Sequence, residues 1–120
     1  MEKIRSFRDL DALKEGHRLV LEIYKMTKSF PKEEMFGLSN QLRRAAVSIT
    51  SNIAEGFSRK SLKEKMWFYS MAKASNTELQ NQLLIARDVG YLSREKFKEL
   101  EEQSIRVNKL ISGLIRYCKK

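Results

Sequence analysis

The sequence predicts an all-α fold, an antiparallel up-down-up-down four-helix bundle with residues 1–120 forming one domain. Two observations predict it. Apolar residues recur at three- and four-residue steps in four stretches, and nothing alternates with strand period over a useful length. Helix punctuation (the only proline, two serine caps and a stopping glycine) falls between those stretches and leaves short connections, which make successive helices antiparallel. A chain of 120 residues, 42% hydrophobic and 32% charged, has room for a single core and the composition of a folded domain.

The first helix is expected over about 9–29. Leu10, Leu13, His17, Val20 and Tyr24 form its apolar line. Gly16 costs up to ~1 kcal/mol relative to Ala and marks a close helix contact. Pro31 ends the segment. The second helix is expected over about 32–57, with Glu33 and Glu34 suited to its positive end and Gly37 bending or delaying its first turn. Leu38, Leu42, Ala45, Ile49, Ile53 and Gly56 make one stripe, and Ala46, Val47 and Ala54 widen it. The polar line left over is narrow: Arg44, Ser48, Ser51 and Glu55. A helix apolar over that much of its circumference has more than one partner.

Ser61-Leu62-Lys63-Glu64 reads as a capping box that opens the third helix, about 61–89. Met66, Tyr69, Ala72, Leu79, Leu83 and Ala86 line its core face with Asn76 in register, and Gly90 supplies a left-handed stop. Ser93 caps the fourth helix, about 93–118. Its Phe97, Leu100, Ser104, Val107, Ile111, Leu114 and Cys118 step 3-4-3-4-3-4, a heptad pattern.

Catalytic equipment is missing. The lone Cys118 excludes an intramolecular disulfide and a cysteine-based zinc site, and the lone His17 excludes a multi-histidine metal centre within one chain. Lys14 stands three residues before His17, so the Glu-x-x-His pair of di-iron bundles is absent. On its apolar line His17 reads as a hydrogen-bonded core histidine and not as a haem ligand, and Cys118 reads as a small buried residue. No phosphate loop or activated nucleophile is visible. The expectation is a protein that is not an enzyme and holds no cofactor or metal. Asn52, Glu55, Asn76, Glu78 and Gln82 lie on or beside inward faces; a hydrogen-bonded network that sets helix register explains them better than a site, with Glu55 exposed as the simpler alternative. With neither a secretory signal nor roughly 20 consecutive apolar residues, the expected compartment is the cytoplasm, without membrane contact.

The formal net charge is +9, and residues 103–120 hold Arg106, Lys109, Arg116, Lys119 and Lys120 with no acid. At about 100° per residue, Arg106, Lys109, Arg116 and Lys120 share a sector opposite the Val107–Leu114 core stripe and make a basic ridge. Arg59, Lys60, Lys63 and Lys65 form a second basic cluster beside Phe57, Trp67 and Phe68. Such clusters neutralise phosphates, and an exposed aromatic can stack on a base. The competing reading is that lysine-rich helices keep a small protein soluble while the aromatics fill its core. The surplus apolar face of the second helix, Ala46, Val47, Thr50 and Ala54, suggests a subunit interface.

The run Phe30-Pro31-Lys32-Glu33-Glu34-Met35-Phe36-Gly37-Leu38, then Gln41 through Ile49, then Ser51-Asn52-Ile53-Ala54-Glu55-Gly56, resembles the signature of one family. These are the four-helix bundle proteins encoded in intervening sequences of bacterial 23S ribosomal RNA genes, related to accessory variability proteins of diversity-generating retroelements. The likeness extends through Phe7-Arg8-Asp9-Leu10, Glu78-Leu79, Leu83 and Gly90-Tyr91-Leu92. It implies an antiparallel bundle assembled as a ring, typically a pentamer, with no catalysis and no cofactor. The retroelement relatives bind nucleic acid and reverse transcriptase through a basic surface. Within the motif the resemblance carries over Arg43, placed beside the surplus face and able to pair across a subunit boundary, and Arg44 on the polar line. Many relatives have an aromatic at Leu13, a proline at Thr50 and a glycine at Ala74; Thr50 should leave the second helix less kinked. The expected function is a ring-forming bundle that binds RNA or DNA through its basic surface. The alternative is a scaffold for a nucleic-acid enzyme encoded nearby, without direct nucleic-acid binding.

Overall fold

The computed structural model describes residues 3–120. Four helices lie side by side: α1 (Asp11–Thr27), α2 (Leu38–Ser58), α3 (Leu62–Asp88) and α4 (Arg94–Cys118), with single 3-10 turns at Phe7–Asp9 and Lys32–Glu34. Among the described residues there is no strand. The 27 residues of α3 span about 40 Å at 1.5 Å per residue, which sets the 44 Å long axis. Tyr91, between α3 and α4, donates its hydroxyl proton to Glu34 Oε2 at 2.9 Å and so ties that connection to the one between α1 and α2. The start of α1, the α2–α3 turn and the end of α4 occupy the opposite end of this up-down bundle.

The caps follow the expected chemistry. The Glu64 N–H donates to Ser61 Oγ at 3.1 Å, and the Lys96 N–H donates to Ser93 Oγ at 3.1 Å. Glu64 accepts a hydrogen bond from the Ser61 hydroxyl at 3.1 Å and not from the Ser61 N–H, so the expected capping box is half formed; the complete one is at Ser6 and Asp9, before α1. Gly90 has φ +87, and the Tyr91 N–H reaches back to the Ala86 carbonyl at 2.9 Å, the six-residue bond of a Schellman stop. Before α1, Asp9 accepts the Arg5 and Ser6 N–H groups at 2.8 and 3.0 Å, which holds its carboxyl below the usual range.

In α3 and α4 the core lines fall as expected. Ala72, Asn76, Leu79, Leu83, Ala86, Ser104, Val107 and Ile111 are all sealed from solvent. Of the five polar residues expected to set register, Asn76 does so, and across α3 and α4: its Nδ2 donates to the Ser104 carbonyl at 2.9 Å, and Ser104 Oγ donates to Asn76 Oδ1 at 2.7 Å. Gln80 Nε2 closes this network by donating to Ser104 Oγ at 2.7 Å. Between α2 and α3, Ser48 and Ser75 share a hydroxyl hydrogen bond of 2.8 Å, and Asn52 donates to the Ser48 carbonyl at 2.8 Å. Glu55 is exposed and paired with Arg59. Gln82 donates to Glu78 at 3.2 Å, while its buried Oε1 has no partner among the described residues.

Three expectations need correcting. The second helix begins at Leu38 and not near Lys32, because Pro31 opens a 3-10 turn at Lys32–Glu34 and Gly37 leaves helical geometry (φ −113, ψ −117). Glu34 Oε1 then accepts the Leu38 N–H at 3.2 Å, so the acid does serve the helix start, from outside it. Leu10 and Leu13 are buried as expected, but beyond them the core face of α1 is rotated: Gly16, Leu19, Ile23 and Met26 face inward, with Ala12 beside Leu13. His17 is exposed and Tyr24 is 41% exposed, so His17 is not a core histidine. The rotation places Gly16 at the contact with α2, where an added Cβ would sit 3.0 Å from Thr50 Cγ2. Finally, the second apolar face of α2 is partly used inside the chain, while Val47 stays 38% exposed. Ala46 is fully buried and Thr50 packs on Gly16.

Candidate nucleic-acid interface

α4 carries the ridge because its core heptad faces one way and leaves the opposite sector to bases. Arg106, Lys109, Arg116, Lys119 and Lys120 are all exposed. Arg106 and Lys109 make no ion pair among the described residues. They line a shallow groove with Asp11, Lys14, Glu15, Arg18 and Leu110 of the α1–α4 flank. The fold thus adds Lys14 and Arg18 to the ridge. Their four-residue spacing on the outer face of α1 is visible in the sequence, but their placement beside α4 is not. Arg18 donates to Glu15 at 2.6 Å, so part of its charge is met locally. Arg116 folds back near Gly113, within 3.7 Å of where a Cβ would stand.

The second cluster is divided. Arg59 donates to Glu55 at 3.0 Å, lies 3.9 Å from Glu64 and caps the Phe68 ring at 4.6 Å. Lys65 Nζ donates to the Phe57 carbonyl at 2.7 Å and the Gly56 carbonyl at 3.4 Å, the open carbonyls at the end of α2, and sits 5.2 Å over the Phe57 ring. Both therefore hold the α2–α3 turn together. Lys60 and Lys63 remain exposed without an ion pair among the described residues. The aromatics divide likewise: Phe57 and Phe68 are half-buried, and Trp67 is 60% exposed with its ring edge-to-face on Phe68 at 5.0 Å.

The last part of the ridge, Arg116 to Lys120, lies at the same end of the bundle as the second cluster, because the α2–α3 turn and the end of α4 share it, while Arg106 stands at mid-length of α4. The Lys65 charge acts on Cys118, lowering a thiol pKa that burial raises above its ordinary value. Cys118 is therefore a protonated packing residue and not an activated thiol. Burial, with Cys118 adding to it, pushes the neighbouring Tyr69 phenol up to about 12. Tyr117, 69% exposed, is an aromatic that the sequence pattern did not single out. Eleven residues after Arg106, it falls within about 20° of the same line at 100° per residue and so stands on the ridge.

Of the residues assigned to subunit contact, Arg43 is engaged inside the chain. Its Nε donates to Thr27 Oγ1 at 2.8 Å and its guanidinium lies 4.9 Å over Tyr24, fastening α2 to the end of α1. Ala46 is buried, Thr50 and Ala54 are half-buried, and Val47 is 38% exposed. Arg44 is exposed beside it. Among the described residues no group of three or more His, Cys, Asp or Glu could hold a metal ion, and no helix is long and apolar enough to cross a membrane.

Residues 8–113 match the 23S rRNA-intervening sequence protein family. No curated protein matches the chain. A crystal structure at 1.70 Å of a protein of unknown function from the S23 ribosomal protein family of Bacteroides thetaiotaomicron VPI-5482 is similar in fold. It has a TM-score of 0.78 at 22% identity, over 87% of this chain and 97% of that one. With nearly its whole length matched and the same four-helix architecture, the chain belongs to the 23S rRNA-intervening sequence protein family.

Proposed function

We propose that this protein is a ring-forming, non-catalytic bundle that binds nucleic acid through phosphate contacts at its basic end. The observation that carries the reading is convergence. The fold sets Lys14 and Arg18 of α1 beside Arg106 and Lys109 in the middle of α4, and the ridge runs from there to Lys120 at the end of the bundle that Lys60 and Lys63 of the α2–α3 turn share. Bases along such a ridge release counterions from a polyanion, and phosphate contacts of this kind carry no sequence information. Tyr117 on the ridge offers a stacking face for an unpaired base. In a ring each subunit brings a charge of +9, so weak contacts act together.

Fluorescence anisotropy with a labelled RNA hairpin and a DNA duplex of equal length, at two salt concentrations, tests it. The expected result is binding at low salt that weakens steeply as salt rises. Arg106→Gln with Lys109→Gln should flatten the salt dependence by roughly 0.7–0.9 for each phosphate no longer neutralised. No binding to either probe at low salt overturns the reading.

A further inference from the structure

Large apolar side chains stand exposed around the basic end of the bundle. Leu62 and Trp67, in the first two turns of α3, are 44% and 60% exposed. Tyr117, in the last turn of α4, is exposed too. Phe7, in the 3-10 turn that packs on α1 and α2, is 40% exposed. Ile4, 48% exposed, lies at the α1–α4 flank with Leu110, Gly113 and Leu114. Three separate segments of chain thus build an apolar collar at one end. Single exposed apolar residues are ordinary on a protein surface, but a collar of them among bases marks a contact surface.

Charge identifies the partner. Residues 3–11, 55–65 and 116–120, which build this end, hold ten Lys and Arg against four Asp and Glu, so +6 of the chain's +9 sits there. Arg5, Arg8, Lys60, Lys63, Lys119 and Lys120 are exposed and make no ion pair among the described residues. The opposite end also exposes an apolar side chain, Phe36, at 90%. There, residues 25–37 and 85–96 hold six bases against four acids, so charge selects no polyanion. At the basic end a nucleic acid would use the bases and leave Ile4 and Leu62 idle, since an aliphatic side chain neither stacks on a base nor meets a phosphate. A bilayer uses both kinds of group. Trp and Tyr rings settle at headgroup level, aliphatic side chains reach the acyl boundary, and Lys and Arg meet anionic headgroups. Among the described residues no helix is long and apolar enough to cross a membrane, but docking on its surface needs no span.

We propose that the basic end of the bundle docks on an anionic lipid surface, with Ile4, Leu62 and Trp67 at the headgroup–acyl boundary and the bases around them on lipid headgroups. Arg106 stands about 18 Å along α4 from Cys118 at 1.5 Å per residue, so the middle of the ridge stays clear of the lipid and open to nucleic acid. The docking goes beyond the proposed function and does not depend on it.

Trp67 is the only tryptophan, so its fluorescence reports on this end directly. Vesicles of phosphatidylglycerol and phosphatidylcholine in equal parts should shift its emission to shorter wavelength, shield it from iodide and carry the protein down in sedimentation. Phosphatidylcholine vesicles alone should bind at least about tenfold more weakly. Ile4→Ser with Leu62→Ser should weaken sedimentation with the mixed vesicles about tenfold and leave anisotropy with the RNA hairpin unchanged. Both side chains are exposed, so circular dichroism should show unchanged helicity. Trp67 emission unmoved by the mixed vesicles, equal binding to the two kinds of vesicle, or a double variant that sediments like the wild type overturns the inference. A double variant that loses RNA and vesicles alike overturns it too, since the aliphatic residues would then act through the fold. RNA binding without vesicle binding sinks the docking alone, and vesicle binding without RNA binding supports the docking and sinks the proposed function alone.

Discussion

Ser104→Ala should destabilise the bundle by about 2 kcal/mol, although it removes a single oxygen. In the wild type that hydroxyl donates to Asn76 Oδ1 at 2.7 Å and accepts from Gln80 Nε2 at 2.7 Å. Gln80 is half-buried, so water can replace its missing partner. Asn76 is sealed from solvent, so its Oδ1 would be stranded. A buried acceptor without a donor costs about 1–3 kcal/mol. With an unfolding entropy of roughly 2.1 cal/mol/K per residue, about 2 kcal/mol lowers Tm by ~8 °C in a chain of this size. Asn76→Leu added to Ser104→Ala removes the stranded acceptor and should recover stability to within ~1 kcal/mol of wild type. Asn76→Leu alone should be milder than Ser104→Ala, since the serine hydroxyl can turn to a carbonyl one turn back. Urea and thermal melts followed by circular dichroism, at fixed chain concentration, read all four states of the cycle. A Ser104→Ala variant within about 0.5 kcal/mol of wild type, or a double variant no better than it, refutes the reasoning.

Gly56→Ala would place a methyl 2.6 Å from Tyr69 Cε1 and 2.8 Å from Cδ1, forcing α2 and α3 apart. A loss of about 1–3 kcal/mol in the same melts is expected, and an unchanged midpoint would show that the two helices separate freely. Gly90→Ala meets no atom within 4 Å but holds φ at +87, so strain alone should cost about 1–2 kcal/mol. Tyr69 titrates at about 12 in the fold against an ordinary 10.0. A raised pKa means the folded state favours the neutral phenol, so this contribution is full below pH 10 and is lost as pH rises from 10 to 12. Burial of the Cys118 thiol adds in the same direction. Urea midpoints measured across roughly pH 9 to 12 should fall, and Tyr69→Phe should flatten the upper part of that fall.

How much of this is legible in sequence depends on whether a residue's role is local. The Ser61 and Ser93 caps and the Gly90 stop use atoms within a few residues, and each sits where expected. The core lines of α3 and α4 are legible because long helices repeat the same face many times. α1 is shorter and carries apolar residues on two sides, so periodicity misplaces its face by about one residue step and puts His17 and Tyr24 inside. The basic site is half legible. Arg106 to Lys120 lie on one helix, so their common face follows from periodicity. That Lys14 and Arg18 join them, and that Arg59 and Lys65 are spent on the α2–α3 turn, depends on which helices become neighbours. The apolar collar escapes notice in sequence because Ile4, Phe7, Leu62, Trp67 and Tyr117 come from three distant segments that only the fold gathers.

By itself, then, the sequence determined what repeats along the chain: four helices, their order, their serine caps, the core lines of α3 and α4 with Asn76 on the first of them, and the excess of nine positive charges. Periodicity and capping are short-range properties, and one strand of letters contains them. The tertiary structure decided which charges are free. A lysine facing water and a lysine closing the end of a neighbouring helix look alike in sequence. Only packing, which brings α1 beside α4, buries Ala46 and sets Thr50 of α2 on Gly16 of α1, separates surface left for a partner from surface already taken.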